Sequence, residues 1–202
     1  MLNKYSIDLS QFKIIKKISS GAFGFVYSAK DNKTNKEYAA KVLHSHPESS
    51  QSQMMINREI GIMIRINHPT IINFYGYSLK DFDGNDNVTL IMELASNGSL
   101  SNQLHKVRQG LADHKYDNTA RQKILIGISR GMMYLHKHHI IHRDLKPDNI
   151  LLDDNFYPHI SDFGLSYLSD LQMSDVLMES GVGSPLYMAP EILLSKPYNY
   201  KV

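Results

Sequence analysis

Short apolar runs separated by polar or glycine-bearing turns fill residues 12–94. β-Branched and aromatic residues dominate these runs, which is the pattern of antiparallel strands joined by turns. The predicted strands cover 12–18, 25–30, 37–43, 71–80 and 87–94. Met55, Glu59 and Met63 instead recur at the period of a helix, so we predict one helix over 53–66.

The pattern becomes helical from about residue 96. Ile124, Ile128 and Leu135 share one helical face and predict an amphipathic helix over 118–138. Short apolar runs at 140–141, 150–152 and 159–161 predict small strands after this helix. The whole pattern predicts an α+β fold in which the strands come first and the helices follow.

Composition narrows the classes of protein that this chain can belong to. Its 202 residues suffice for one domain or two small lobes, and 42% hydrophobic with 21% charged residues is ordinary for a globular protein. The net charge of +2 is too small to favour nucleic acid as a partner. The chain has no cysteine, which excludes disulfides, thiol catalysis and cysteine-bound zinc.

Neither a membrane segment nor an export signal is visible in the sequence. No apolar run approaches the roughly 18 residues that a membrane-spanning helix needs. The N-terminus also lacks the apolar core of a signal peptide. We therefore expect no membrane insertion and an intracellular, cytoplasmic location, and the oligomeric state stays open.

Two polar runs carry the residues with the most specific chemistry. Residues 142–149 read HRDLKPDN, and residues 162–164, thirteen positions after Asn149, read DFG. Asp144 can accept a proton, Lys146 supplies a positive charge, and Asn149 and Asp162 offer hard oxygen ligands to a divalent metal. These are the groups that phosphoryl transfer requires.

The sequence upstream adds a candidate phosphate-binding turn. Residues 19–26 read SSGAFGFV, and glycines in such a turn let backbone amides approach phosphate oxygens closely. Alone this is a weak signal, because a plain hairpin would have the same pattern. Its position about twenty residues before Lys41 strengthens it. Glu59 lies on the apolar face of the predicted helix, where a carboxylate is costly unless it is paired.

These motifs, together with 140–153 and 183–191, resemble those of protein kinases, and more specifically serine/threonine kinases of the tyrosine-kinase-like group. The resemblance implies a two-lobe fold, with a five-stranded antiparallel N-lobe holding one helix and a mainly helical C-lobe. It implies ATP and Mg²⁺ as cofactors and a protein serine or threonine hydroxyl as the acceptor. Lys146 and the run GSPLYMAPE favour serine/threonine specificity and disfavour a small-molecule kinase. A nucleotide-binding pseudokinase or scaffold remains the alternative, although the motif residues that pseudokinases usually lose are retained here.

The resemblance also assigns roles to individual residues. Asp144, Lys146 and Asn149 would be catalytic, and Asn149 and Asp162 would bind the metal. Lys41 would pair with Glu59 and reach the α- and β-phosphates of ATP. The implied ATP-binding residues are Ile18, Ser19, Ser20, Gly21, Ala22, Phe23, Gly24, Val26, Ala39, Lys41, Glu59, Met92, Glu93, Ala95 and Leu151.

Residues 162–191 would form the activation segment. We hypothesise that Ser174 or Ser180 is a regulatory phosphorylation site, with Arg143 as the group that receives the phosphate. The implied domains are an N-lobe over 1–95 and a partial C-lobe over 96–202. Members of the family continue beyond this point with a helix whose aspartate braces the catalytic loop. We therefore expect the C-lobe to be incomplete and these 202 residues alone to be poorly stable and nearly inactive.

Overall fold

The computed structural model describes residues 2–21, 24–43, 50–168 and 182–199. The chain divides into two compact units. The first unit comprises Met1–Arg65 and Ile72–Leu94, and the second comprises Ile66–Ile71 and Ala95–Val202. The domain ranges 1–95 and 96–202 stay a prediction, and Ile66–Ile71 group with the second unit.

An antiparallel five-stranded sheet forms the centre of the first unit. Its strands are β1 (Phe12–Gly21), β2 (Gly24–Asp31), β3 (Glu37–Leu43), β4 (Phe74–Ser78) and β5 (Thr89–Glu93), in the spatial order β1-β2-β3-β5-β4. Helix α1 (Ser50–Met63) lies between β3 and β4 in the sequence. The predicted five-stranded antiparallel sheet with one helix is therefore confirmed.

One face of this sheet carries a buried cluster made of small and branched side chains from the central strands. Ala29, Ala40 and Ile91 are each fully buried, and Leu9 joins them from the N-terminal segment. Aromatic side chains close the edges of the cluster, including Tyr38, which meets other rings edge to face. Because alanines dominate the centre, the N-terminal segment can approach the sheet closely.

The second unit contains three α-helices and two small antiparallel strand pairs in its described part. The helices are α2 (Leu100–Arg108), α3 (Asn118–Lys137) and α4 (Pro190–Leu193). Strand β6 (Ile140–Ile141) pairs with β9 (Tyr167–Leu168), and β7 (Ile150–Leu152) pairs with β8 (Pro158–Ile160). The Asp117 carboxylate accepts a hydrogen bond from the Ala120 N–H and so caps α3 at its N-terminus.

Two glycines of α3 allow the helix to lie directly against β8. A Cβ atom at Gly127 would come within 2.3 Å of the Pro158 side chain, and one at Gly131 within 2.6 Å of Ile160. No heavy atom could be accommodated at these distances without a shift of the backbone or of a packed ring. The long helix therefore fixes the β7–β8 hairpin, whose ends carry the polar residues described below.

Several element boundaries differ from those predicted, and two of the differences have a visible structural cause. Helix α1 ends at Met63 instead of residue 66, because the chain continues as a hydrogen-bonded turn in which the Arg65 N–H donates to the Ile62 carbonyl. Strand β4 begins at Phe74 instead of residue 71. Ile71 belongs to the second unit and pairs there with Ile160, so it does not extend the five-stranded sheet.

Candidate active site

The β7–β8 hairpin brings the two predicted metal ligands of the second unit into register. Ile150 and Ile160 are direct partners across the hairpin, so Asn149 and Ser161 stand opposite each other at its open end. The Ser161 N–H and hydroxyl both donate to the Asn149 carbonyl, at 2.9 and 3.0 Å. Asp162 follows at once with a left-handed backbone (φ +66°). The hairpin thus places Asp162 next in the chain to Ser161, which is bonded to Asn149.

The Asp144 carboxylate is held in one orientation by three donors. It is only 7% exposed. Its Oδ1 accepts from the Ser184 N–H at 2.9 Å, and its Oδ2 accepts from the Asn149 Nδ2 at 3.0 Å and lies 2.8 Å from the Lys146 Nζ. A carboxylate has about four acceptor positions, so three donors leave room for one further proton donor. One acceptor position of the Asp144 carboxylate therefore remains for a further donor.

Ser184 is a member of this site that sequence reasoning did not assign to it. Its hydroxyl accepts from the Lys146 Nζ at 2.6 Å, while its N–H donates to Asp144. Gly183 makes this approach possible, since a Cβ atom there would lie 2.5 Å from the Arg143 carbonyl and φ is +125°. The Gly-Ser-Pro run was visible in the sequence, but no spacing rule connects it to a residue forty positions earlier.

His142 anchors the start of residues 142–149 in the interior of the second unit. The imidazole is 1% exposed and packs edge to face on Phe163. Its Nδ1 accepts from the Asp144 N–H at 3.3 Å, so the ring proton resides on Nε2, which donates to the Ser161 carbonyl at 2.9 Å. Burial lowers the pKa of His142 below its usual value. The neutral ring therefore ties Asp144 to the segment that carries Asp162.

We expect His142 to contribute to a loss of stability in acid. Its pKa is lower in the folded than in the unfolded chain, so the unfolded chain alone takes up a proton as the pH falls below about 6.5. The loss approaches about 1.4 kcal/mol per pH unit until the depressed pKa is reached. Urea unfolding at pH 7.5 and 5.5 should show a smaller loss for His142→Gln than for the wild type.

Comparing His142→Gln with the wild type separates the contribution of His142 to the pH dependence of stability from that of the other histidines. Burial also lowers the pKa of His68 and His136, so both proteins should weaken somewhat in acid. Only the difference between them reports on His142. An identical pH dependence in the wild type and in His142→Gln would show that the ring is not kept neutral by burial.

In the first unit, Lys41 and Glu59 form an ion pair. The Lys41 Nζ lies 2.7 Å from the Glu59 Oε1, and the side chains are only 15% and 5% exposed. Lys41 stands on β3 opposite Val26 of β2, and Ala39 stands opposite Met92 of β5. The sheet therefore groups these five sequence-predicted residues around adjacent strands and the facing helix.

The predicted phosphate-binding turn joins β1 to β2. Gly21 and Gly24 are direct partners at the end of the ladder, and Ser19 and Ser20 precede them on the exposed strand β1. Gly24 has φ +146°, and a Cβ atom there would lie 1.9 Å from the Val42 carbonyl. Only glycine fits this position. Ala22 and Phe23, which follow Gly21 in the sequence, lie outside the described residues.

The remaining predicted residues have diverse surroundings. Ile18 is 45% exposed on β1. The Glu93 N–H donates to the Asn73 carbonyl at 2.9 Å, which fixes the end of β5. Ala95 is half-buried in the second unit, as is Leu151, which lies on β7. Ser174 and Ser180, the predicted phosphorylation sites, lie outside the described residues.

Arg143, predicted to receive a phosphate, adopts a left-handed backbone with φ +64°. Its Nε donates to the Leu165 carbonyl at 2.6 Å, and its guanidinium lies 5.6 Å from the centre of the Tyr167 ring. These contacts hold the side chain against the start of the predicted activation segment. Its role as a phosphate receiver stays a prediction.

Comparison with known proteins identifies the family. The sequence model of the protein kinase domain matches residues 12–202. The chain belongs to the protein kinase family. Human NUAK family SNF1-like kinase 1 is 35% identical over 189 residues, which cover 93% of this chain and 27% of that protein. Serine/threonine-protein kinase STY17 of Arabidopsis thaliana is 30% identical over 203 residues, covering 98% of this chain and 32% of that protein.

Membership of the protein kinase family indicates the general chemistry but not the group of kinases to which the chain belongs. Protein kinases use ATP and a divalent metal. A third relative, the cAMP-dependent protein kinase type 3 of Saccharomyces cerevisiae, is 33% identical over 201 residues, covering 98% of this chain and 46% of that protein. The three relatives are kinases with different names, so they do not single out one group. Assignment to the tyrosine-kinase-like group stays a prediction. The chain spans less than half the length of these three relatives.

Helices of membrane-spanning length and apolarity are absent from the described ranges of this kinase chain. Groups of three or more histidine, cysteine or acidic side chains that could hold a metal ion are also absent there.

Proposed function

We propose that this chain is the catalytic part of an ATP-dependent protein serine/threonine kinase. It would transfer the γ-phosphoryl group of ATP to a serine or threonine hydroxyl of a protein. The observation that carries the proposal is the arrangement around Asp144, which Lys146, Asn149 and Ser184 hold in one orientation. Such fixed orientation is the main contribution that a protein makes to phosphoryl transfer.

Each step of the reaction has a candidate group in this chain. The acceptor hydroxyl donates its proton to Asp144 as its oxygen forms a bond to the γ-phosphorus. The bond from that phosphorus to the bridging oxygen breaks, and ADP leaves with the electron pair. Lys146 stabilises negative charge on the transferring group, and Lys41, oriented by Glu59, neutralises charge on the α- and β-phosphates.

Asn149 and Asp162 fit the binding of Mg²⁺. The Asn149 Nδ2 donates to the Asp144 carbonyl at 2.8 Å and to its carboxylate at 3.0 Å, so the amide oxygen points away from these acceptors. An amide oxygen and the Asp162 carboxylate are hard ligands of the kind that Mg²⁺ prefers. When bound, the ion would neutralise charge on the phosphates. These two residues support the assignment of Mg²⁺ as the cofactor.

The proposal is tested by separating ATP binding from transfer. An intact protein that contains these 202 residues, which alone are expected to be nearly inactive, is titrated with ATP in the presence of Mg²⁺. It is then incubated with γ-labelled ATP and a mixture of unstructured proteins rich in serine and threonine. We expect saturable binding and label on phosphoserine or phosphothreonine after acid hydrolysis, both abolished by EDTA. Binding without transfer would support a pseudokinase-like scaffold, and the absence of both would overturn the proposal.

A further inference from the structure

An N-terminal strap, Leu2–Gln11, crosses the sheet of the first unit although the family match begins only at residue 12. At one end, the Ile7 N–H donates to the Tyr77 carbonyl of β4 at 2.8 Å. At the other end, the Asn32 N–H donates to the Gln11 carbonyl at 2.9 Å. The strap is therefore bonded to the edge strand β4 near one end and to the turn that follows β2 at the other.

The sheet is shaped to receive this strap. Leu9 is 8% exposed and packs into the buried cluster of the central strands. A Cβ atom at Gly76 of β4 would lie 2.4 Å from the Tyr5 carbonyl oxygen and 2.5 Å from the Ile7 Cδ1. A larger residue at position 76 would therefore displace the strap. The Asp8 carboxylate also caps the short 3₁₀ helix at Leu9–Gln11 through the Ser10 N–H.

An aromatic contact links the strap to a residue of the proposed nucleotide site. The Tyr5 ring stacks on Phe74 with centroids 6.0 Å apart and an interplanar angle of 29°. Phe74 is the direct partner of Met92 across the β4–β5 ladder. Met92 is 8% exposed and precedes Glu93, another proposed ATP contact. Phe74 thus lies between Tyr5, whose ring stacks on it, and Met92, its partner across the ladder.

The ladder alone does not fully define the position of Phe74. Its register is irregular between Phe74 and Gly76, where one residue of β4 is left without a regular partner. A bulge of this kind weakens the restraint that hydrogen bonding places on the strand. The stacked Tyr5 ring lies at this place and restrains Phe74 from outside the ladder.

We propose that the strap is a positioning element of the nucleotide site, in which Tyr5 holds Phe74 and thereby sets the position of Met92. This rests on the proposed function, which makes Met92 an ATP contact. The catalytic unit then begins before the family match, and its first residues influence the affinity for ATP. Tyr5 acts through Phe74 and does not touch the nucleotide.

The test compares Tyr5→Ala and Tyr5→Phe in an intact protein that contains these 202 residues. An aromatic pair is worth enough to change an equilibrium by about three- to tenfold, so the dissociation constant for ATP should rise by that factor in Tyr5→Ala. Tyr5→Phe keeps the ring and should bind ATP like the wild type. In a sample with ¹³C-labelled methionine methyl groups, the Met92 resonance, assigned with Met92→Leu, should shift in Tyr5→Ala even without nucleotide.

Phe82→Ala is the matched control for a general loss of stability. Phe82 packs against the same buried cluster but lies outside the strap. It should lower the melting temperature while leaving both the affinity for ATP and the Met92 resonance unchanged. Equal effects of Phe82→Ala and Tyr5→Ala, or an unchanged Met92 resonance in Tyr5→Ala, would overturn the positioning role. A wild type that fails to bind ATP would instead overturn the proposed function, and the Met92 resonance would still decide whether Tyr5 sets that side chain.

Discussion

Asp144→Asn should abolish phosphoryl transfer while leaving the affinity for ATP close to that of the wild type. An amide has nearly the shape of the carboxylate but cannot accept the proton of the acceptor hydroxyl. It would also turn an N–H₂ group toward donors that now bond to the carboxylate, including Lys146 and the Ser184 N–H. A positioned acid or base typically contributes about 10²- to 10⁴-fold to a rate, so we expect a loss of at least that size.

Initial rates with γ-labelled ATP and an equilibrium titration of ATP measure the two quantities separately. Asp148→Asn is the matched control, because Asp148 is an exposed acid of the same run and makes no part of the proposed site. It removes the same charge and should retain the wild-type rate. If Asp144→Asn transferred phosphate at more than a small fraction of the wild-type rate, Asp144 would not be the proton acceptor.

Local patterns predicted the elements of the first unit well. The strand over 37–43 begins and ends where the sequence predicts, because a mainly apolar run is bounded on both sides by polar sequence. The pattern was less successful where a side chain packs outside its own element. Ile71 continues the apolar run of β4 but pairs with Ile160, so tertiary packing and not local propensity ends the strand.

The candidate site was only partly predictable for a similar reason. Motif spacing marked Asp144, Asn149 and Asp162, and the hairpin between the last two needs only local pairing. The approach of Ser184 to Asp144 depends on how a distant segment folds back, which no local pattern encodes. The left-handed backbone at Asp162 was likewise not predictable, because even aspartate, which tolerates this conformation better than most residues, adopts it only occasionally.

The N-terminal strap shows a second limit of sequence reasoning. Within Leu2–Gln11, isolated apolar residues alternate with polar ones over a stretch too short to predict an element. Its signal lies elsewhere, in the small residues of the sheet. The small side chains of Ala29 and Ala40, and the missing side chain of Gly76, leave space that the N-terminal strap fills. Small residues at the centre of a sheet face are thus a usable sign of a covering segment.

Replacing Glu59 or Lys41 singly should destabilise the first unit strongly, and replacing both should not. The two side chains form an ion pair at 2.7 Å and are 15% exposed or less. Lys41→Met leaves the Glu59 carboxylate buried without this ammonium group, and Glu59→Leu leaves the ammonium group without this carboxylate. Breaking a buried pair on one side costs about 3 kcal/mol or more, whereas an apolar pair of similar volume is often neutral.

The same variants should rank differently in their affinity for ATP than in their stability. Lys41→Met and the double variant should both bind ATP weakly, because each lacks the charge that faces the phosphates. Glu59→Leu should bind better than either, since it keeps the lysine but loses its orientation. Urea unfolding measures the order of stability, and ATP titration measures the order of affinity. Both are carried out on the wild type, the two single variants and the double variant. Recovery of ATP affinity along with stability in the double variant would mean that Lys41 serves the fold and not the nucleotide.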